Sequence, residues 1–140
     1  MKKQGFTLIE IMLVVIIIGV LLAMVAPNLA GKSEKARITA AKSDIESNLS
    51  SSLDLYELDI GRYPTTEQGV PALITGPQGV NNWNGPYLKK KKIPQDPWKH
   101  DYVYVFPGTH NKDGYDLSSL GKDGVESADD IVNWEEKSSE

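Results

Sequence analysis

The chain has no cysteine in its 140 residues. No disulfide can brace it, so any soluble part must hold together by its core or by a bound ion. Histidine is nearly absent as well. His100 and His110 are the only two; both sit beside turn-forming residues, and neither has a cysteine or a G-x-S-x-G serine to activate. No nucleophile with its base can be assembled from this set, so the chain is not expected to be an enzyme. Basic residues are outnumbered 15 to 19 by acidic ones, for a formal net charge of −4. The lysine run at residues 89–92 reads as a solvated face, and no nucleic-acid partner is expected.

What the chain has instead is a long apolar run. Residues 6–26, FTLIEIMLVVIIIGVLLAMVA, contain one charged side chain, Glu10. At about 1.5 Å rise per residue, a helix of this length can cross about 30 Å of hydrocarbon. A cleaved secretory signal fits less well, because its apolar part runs about 7–15 residues and ends at small residues, whereas Met24 and Pro27 stand here. An ordinary signal anchor explains the length and the Lys2, Lys3 flank but not Glu10. A carboxylate within a spanning helix costs on the order of 2.5–3.5 kcal/mol at its centre, and so marks function and calls for a partner. The two leading lysines place the long remainder across the membrane, in a bacterial periplasm.

Beyond the run, Ile38, Ala41, Ile45, Leu49, Leu53, Tyr56 and Ile60 recur at steps of three or four, the stripe of an amphipathic helix. Pro27 and Gly31 interrupt the junction, where a kink or local melting is expected, as a mere boundary or as an aid to assembly. Gly61 closes the helix. Thr65 and Gln68 fit a capping box for a short second helix, which Pro71 complicates. Tyr102-Val103-Tyr104-Val105-Phe106 and residues 115–120 read as strands, with Asp113-Gly114 as the hairpin turn between them. The expected fold class is α+β: a long N-terminal helix packed against a small antiparallel sheet.

Residues 120–130, LGKDGVESADD, supply carboxylates, a hydroxyl and two glycines in a short loop. Oxygen donors with freedom to turn carbonyls inward suit Ca²⁺, although the spacing is not that of an EF-hand. On the residues alone, a solvated acidic loop with Asx-turns explains the stretch equally well.

Several motifs together carry a resemblance. Gly5-Phe6-Thr7-Leu8-Ile9-Glu10, behind a basic leader and ahead of the apolar helix, resembles the processing site of type IV pilins and pseudopilins. RYPTTEQG at residues 62–69, Ala72-Leu73, Pro94-Gln95-Asp96-Pro97-Trp98, and SLGKDGV at 119–125 followed by Asp129-Asp130 resemble the major pseudopilins of the type II secretion system across nearly the whole chain. Many type IV pilins close their C-terminal region with a disulfide, so the missing cysteines point the same way.

The resemblance implies that a prepilin peptidase cuts after Gly5 and methylates the amine of Phe6. Residues 1–5 are then a leader, 6–27 a transmembrane and filament-core helix, and 28–140 a periplasmic globular domain that includes the second half of the long helix. Cleavage would create an amine near Glu10, and such a pair offsets part of the cost of burying either ion. The amine could pair within its own chain, since positions four apart face each other, or with a neighbour; the family implies the neighbour and an assembly role for Glu10. It also implies Ca²⁺ held by Leu120, Asp123, Val125, Ser127, Asp129 and Asp130, with Glu126-Ser127-Ala128 a short spacer in this chain. The implied function is structural: a single-pass inner-membrane subunit that polymerises with its own kind into a periplasmic filament. Its implied partners are minor pseudopilins and an assembly platform and, indirectly, an outer-membrane secretin and the folded exoproteins driven through it. Two other readings compete: a type IV pilin of a surface pilus, and a membrane-tethered calcium-dependent binding module that stays uncut and does not assemble.

Overall fold

The structure, a computed structural model, describes residues 5–135 without the side chains of residues 25–30. Lys2 and Lys3 of the expected leader lie outside that range. The chain divides into two compact units, Met1–Ala36 and Arg37–Glu140. Helix α1 is unbroken over Leu8–Ser43, so of the kink or local melting expected at Pro27 and Gly31 the melting does not occur. A proline deletes one backbone donor, and the turns on either side keep theirs. In the first unit the large apolar side chains are exposed on every side, from Leu8 at 82% to Met24 at 70%. Nothing among the described residues of the unit covers them. Among the described residues no helix is long and apolar enough to cross a membrane; the expected span, residues 6–27, takes in side chains outside them.

In the second unit the helix departs from α geometry at Asp44–Leu49, a π-helical segment, before α2 (Ser50–Ile60) resumes. The sequence offers a reason. Ala41, Ile45, Leu49 and Leu53 are spaced by four, and at 3.6 residues per turn each step of four walks about 40° around an α-helix. The wider i→i+5 turn absorbs that drift. All four side chains are consequently at most 1% exposed. The Ser50 hydroxyl donates to the Ile45 carbonyl at 2.6 Å, satisfying an oxygen at the irregular turn. Ile38 and Ile60, the ends of the expected stripe, are less completely covered: Ile38 is exposed and Ile60 packs at the core's edge. Gly61 ends α2 in the left-handed region at φ 84°, its N–H donating to Glu57; a side chain there would meet the Cβ penalty that glycine escapes.

The Thr65–Gln68 box forms reciprocally, Thr65 N–H to Gln68 Oε1 at 3.0 Å and Gln68 N–H to Thr65 Oγ1 at 3.3 Å. It caps a turn rather than a full helix. Pro71 then sits in the first turn of a short 3-10 stretch, Val70–Leu73, where a missing N–H costs nothing. Val70, Ala72 and Leu73 join Ile45, Leu49, Leu53 and Tyr56 in the core, with Tyr104 and Leu117 from the sheet and Tyr102 and Tyr115 from the residues just before its strands.

Strands β1 (Val103–Val105) and β2 (Asp116–Ser119) pair antiparallel, Tyr104 opposite Leu117. A third strand, β3 (Ile131–Val132), completes the order β1-β2-β3. It is too short to leave a pattern in the sequence. The tight hairpin expected at Asp113-Gly114 is instead a longer loop, residues 106–115, in which Gly114 donates to Asn111 and accepts from Gly108. The reason is Asp116, the first residue of β2, which gathers the loop around its own carboxylate.

Candidate metal centre and N-terminal motif

At the N-terminus, Gly5 has open space around it among the described residues and Phe6 is 84% exposed. Glu10 is already engaged in the intact chain. Its Oε2 accepts from Thr7 N–H at 2.7 Å and from Thr7 Oγ1–H at 2.8 Å. Thr7-Leu8-Ile9-Glu10 is thus a capping box that opens α1, and the T-x-x-E spacing announced it. The partner that Glu10 calls for is thus supplied, among the described residues of the uncut chain, by the neutral donors of a helix start.

Two buried carboxylates shape the second unit. Asp116 accepts at Oδ2 from Thr109 N–H and Oγ1–H, His110 N–H and His110 Nδ1, and at Oδ1 from Asn111 N–H, all at 2.8–2.9 Å. Burial pushes its pKa up, yet the donors of Asn111, His110 and Thr109 outweigh that and hold the carboxyl well below the ordinary 3.8. The His110 ring lies flat on Trp134, centroids 4.1 Å apart. Asp96, from the Gln95-Asp96-Pro97-Trp98 motif, accepts from Trp98 N–H at 3.0 Å and His100 N–H at 2.8 Å through Oδ1, and from the Ser119 hydroxyl at 2.6 Å through Oδ2. The motif therefore works as turn chemistry, and it also ties the turn to the strand that feeds the acidic loop.

That loop leaves β2 at Ser119. Asp123, Asp129 and Asp130 each present a carboxylate oxygen, and these oxygens lie within 4.8 Å of one another. Ligand distances of about 2.3–2.6 Å let one Ca²⁺ reach all three. The donors around them are few. Val125 N–H reaches Asp123 at 3.2 Å, Ser127 N–H reaches Asp130 at 3.3 Å, and the Ser127 hydroxyl bridges Asp129 and Asp123. Asp130 Oδ1 is buried without a hydrogen-bond partner among the described residues. Its pKa is raised, first by burial and then by the charges of Asp123, Asp129 and Glu126, against the lowering contact from Ser127 N–H. An acceptor without a donor, beside two further carboxylates, fits a hard cation. Of the expected ligand residues, Asp123, Asp129, Asp130 and Ser127 are brought together, while Leu120 is half-buried and Val125 exposed at the loop's turns.

His100 is half-buried, with Nδ1 3.0 Å from the Gly121 carbonyl. That contact could not be found from spacing, since it joins residues whose proximity depends on how β1 and β2 pair.

Comparison with known proteins covers both units. Residues 28–134 match the family described as type II secretion system (T2SS), protein G, and residues 1–26 match the prokaryotic N-terminal methylation motif. The chain is 48% identical over 138 residues to type II secretion system core protein G of Klebsiella pneumoniae, covering 95% of each. It is 46% identical over 142 residues to the core protein G of Pseudomonas aeruginosa, covering 96% of each. A crystal structure of the major pseudopilin from the type 2 secretion system of enterohaemorrhagic Escherichia coli resembles it with a TM-score of 0.66 and 42% identity, covering 77% of this chain and 91% of that one.

Proposed function

The chain belongs to the protein G family of the type II secretion system, the major pseudopilins, and from that premise we propose how its two units divide the work. It is a structural subunit of a pseudopilus, anchored in a membrane and periplasmic. The observation that carries the reading is the sheath of exposed apolar side chains along residues 8–24. At about 1.5–3 kcal/mol for each large side chain left in water, they require a hydrocarbon environment. A bilayer supplies one before assembly, and a bundle of identical helices supplies the other after it. In this reading the inner membrane holds the subunit by a single pass, a prepilin peptidase removes residues 1–5, and Phe6 is methylated. An assembly platform with minor pseudopilins then builds the homopolymer that moves folded exoproteins through a secretin.

Glu10 joins the two states. In the intact chain its carboxylate caps the first turn through Thr7; after cleavage the Phe6 amine becomes a charged partner, in the same chain or in the next. Glu10→Leu should leave the leader cleaved and filament yield sharply reduced, at about 3–5 kcal/mol for a broken buried pair. Normal filaments from a fully processed variant would refute the pairing.

The loop at residues 120–130 is the calcium site of this proposal. Asp123, Asp129 and Asp130 supply carboxylates, Leu120 and Val125 backbone oxygens, and Ser127 a hydroxyl. The ion's part is structural: it replaces repulsion among the carboxylates with attraction and closes the loop beside β3.

Deleting the gene tests the whole. Extracellular enzymes should accumulate in the periplasm, and mass spectrometry of the native subunit should give a chain that starts at a singly methylated Phe6. Unimpaired secretion, or mature chains that retain Met1 in cells with an active peptidase, would overturn it.

A further inference from the structure

We propose that His100 is a positioning residue for the acidic loop: its imidazole clamps Gly121 and Gly124 so that the oxygens of residues 120–130 stand ready for a cation before it arrives. The proposal rests on reading that loop as a calcium site. His100 is itself held from behind, because its N–H donates to Asp96 Oδ1 at 2.8 Å while Asp96 Oδ2 takes the Ser119 hydroxyl at 2.6 Å. Asp96 is only 4% exposed. The imidazole is thus carried on a turn fixed by a buried carboxylate.

From there the ring makes two contacts with the loop. Its Nδ1 lies 3.0 Å from the Gly121 carbonyl; a carbonyl can only accept, so Nδ1 carries the hydrogen. The Gly121 N–H donates to Ser119 Oγ at 3.2 Å. Both polar groups of Gly121 are therefore fixed by one network centred on Asp96. The second contact is steric: Gly124 has φ 68°, and a Cβ added there would lie 3.1 Å from His100 Cε1 and Nε2. The ring occupies the space that only a glycine leaves.

Gly121 follows Leu120 and Gly124 precedes Val125, the two residues assigned as carbonyl ligands. The imidazole touches the loop at the turns that aim those carbonyls. Asp123 and Asp129 are exposed, so packing cannot fix the loop from their side. A site ordered beforehand avoids part of the entropy that binding would otherwise cost. Groups that orient ligands without touching the metal are typically worth about ten- to a hundredfold in affinity.

The test is calcium titration of the full-length chain in detergent micelles, with two variants. His100→Phe keeps a ring over Gly124 and removes the donor; it should weaken calcium binding about tenfold or more with the ion-free melting temperature nearly unchanged. His100→Asn keeps an N–H donor on Cγ, where Nδ1 sits, and should recover most of the affinity. Unchanged affinity in His100→Phe would overturn the proposal. So would an affinity in His100→Asn as poor as that of His100→Phe, since the donor would then be irrelevant. If the parent chain bound no calcium, the loop reading itself would fail. The clamp would still be decided by amide hydrogen exchange of residues 121–125 in ion-free protein: faster in His100→Phe and near parental in His100→Asn upholds it, and equal rates in all three overturn it.

Discussion

The loops on either side of β2 are both built around aspartate, and they treat it in opposite ways. Ahead of the strand, Asp116 gathers donors from Thr109, His110 and Asn111 onto one carboxylate. Behind it, among the described residues, Asp123, Asp129 and Asp130 share two backbone N–H groups and one hydroxyl, and one Asp130 oxygen is buried without a partner. The first loop is complete by itself. The second, in the proposed reading, is completed by a cation. What separates them is the supply of donors per carboxylate, not the number of acids, and the two pKa values move accordingly: Asp116 downward and Asp130 upward.

The most severe way to break this contrast is Asp116→Ala. Several donors lose a charged acceptor at once, and stability should fall by about 2–4 kcal/mol, tempered by water reaching the exposed end of the loop. Thermal melting of full-length protein in detergent would record it. The same carboxylate predicts a pH dependence. Because its folded pKa lies below the ordinary 3.8, its stabilisation is complete above that value and drains away as pH falls further, a loss that Asp116→Ala should abolish. An acid limb of the same size in both proteins would show that Asp116 is not its source.

Calcium comes next. Binding only to the folded state should add about 2.7 kcal/mol at a hundredfold excess over Kd, and chelation should remove it. Asp123→Ala should melt at one temperature with and without chelator. If the parent chain also melts unchanged under chelation, the second loop does not need an ion and the contrast collapses.

A smaller effect is expected in the turn that supports both halves of the acidic region. Lys99 sits at φ 74°, where a side chain is disfavoured by about 1–2 kcal/mol. Lys99→Gly should recover part of that, about 0.5–1 kcal/mol after glycine's greater entropy loss. A drop in melting temperature would mean that the lysine makes a compensating contact.

The smallest effect sharpens the comparison most. Without calcium, Asp130→Asn removes a like charge, and should stabilise the protein by about 0.5 kcal/mol, the scale of one partly exposed pair. The sign with pH is opposite to that of Asp116: a raised folded pKa means that stability in ion-free protein declines as pH rises through it, and the asparagine variant should lack that decline. With calcium present the same substitution should destabilise. Destabilisation in both conditions would show that Asp130 is satisfied by the protein alone.

Much of this was legible in the sequence, and the rest was not for identifiable reasons. The apolar run, the stripe from Ala41 to Tyr56, the glycine stop at 61 and the two main strands follow from local periodicity and caps. The aspartates of the loop were visible as a cluster, because ligands drawn from one short segment stay close whatever the fold. The π segment was hidden, since steps of four are compatible with an α-helix and only full burial of Ala41, Ile45, Leu49 and Leu53 reveals that the drift had to be absorbed. β3 and the roles of Asp96 and His100 depend on strand pairing. The Asp113-Gly114 signal was real as a turn and misleading as a hairpin, because the Asp116 carboxylate competes for the same backbone.

The π segment has one further consequence. Within it, chain length and side-chain azimuth are uncoupled: Asp44–Leu49 holds more residues per turn than its neighbours. Removing one residue there would let an ordinary α-helix form, at little local cost, and would keep Ala41 within about 20° of the azimuth of Leu53, since eleven steps of about 100° nearly close three turns. The segment acts as a phase adjuster. A one-residue deletion elsewhere in the helix shifts facing by about 100° with no slack to absorb it, so Asp44–Leu49 is where this helix can change its count and still keep its buried face.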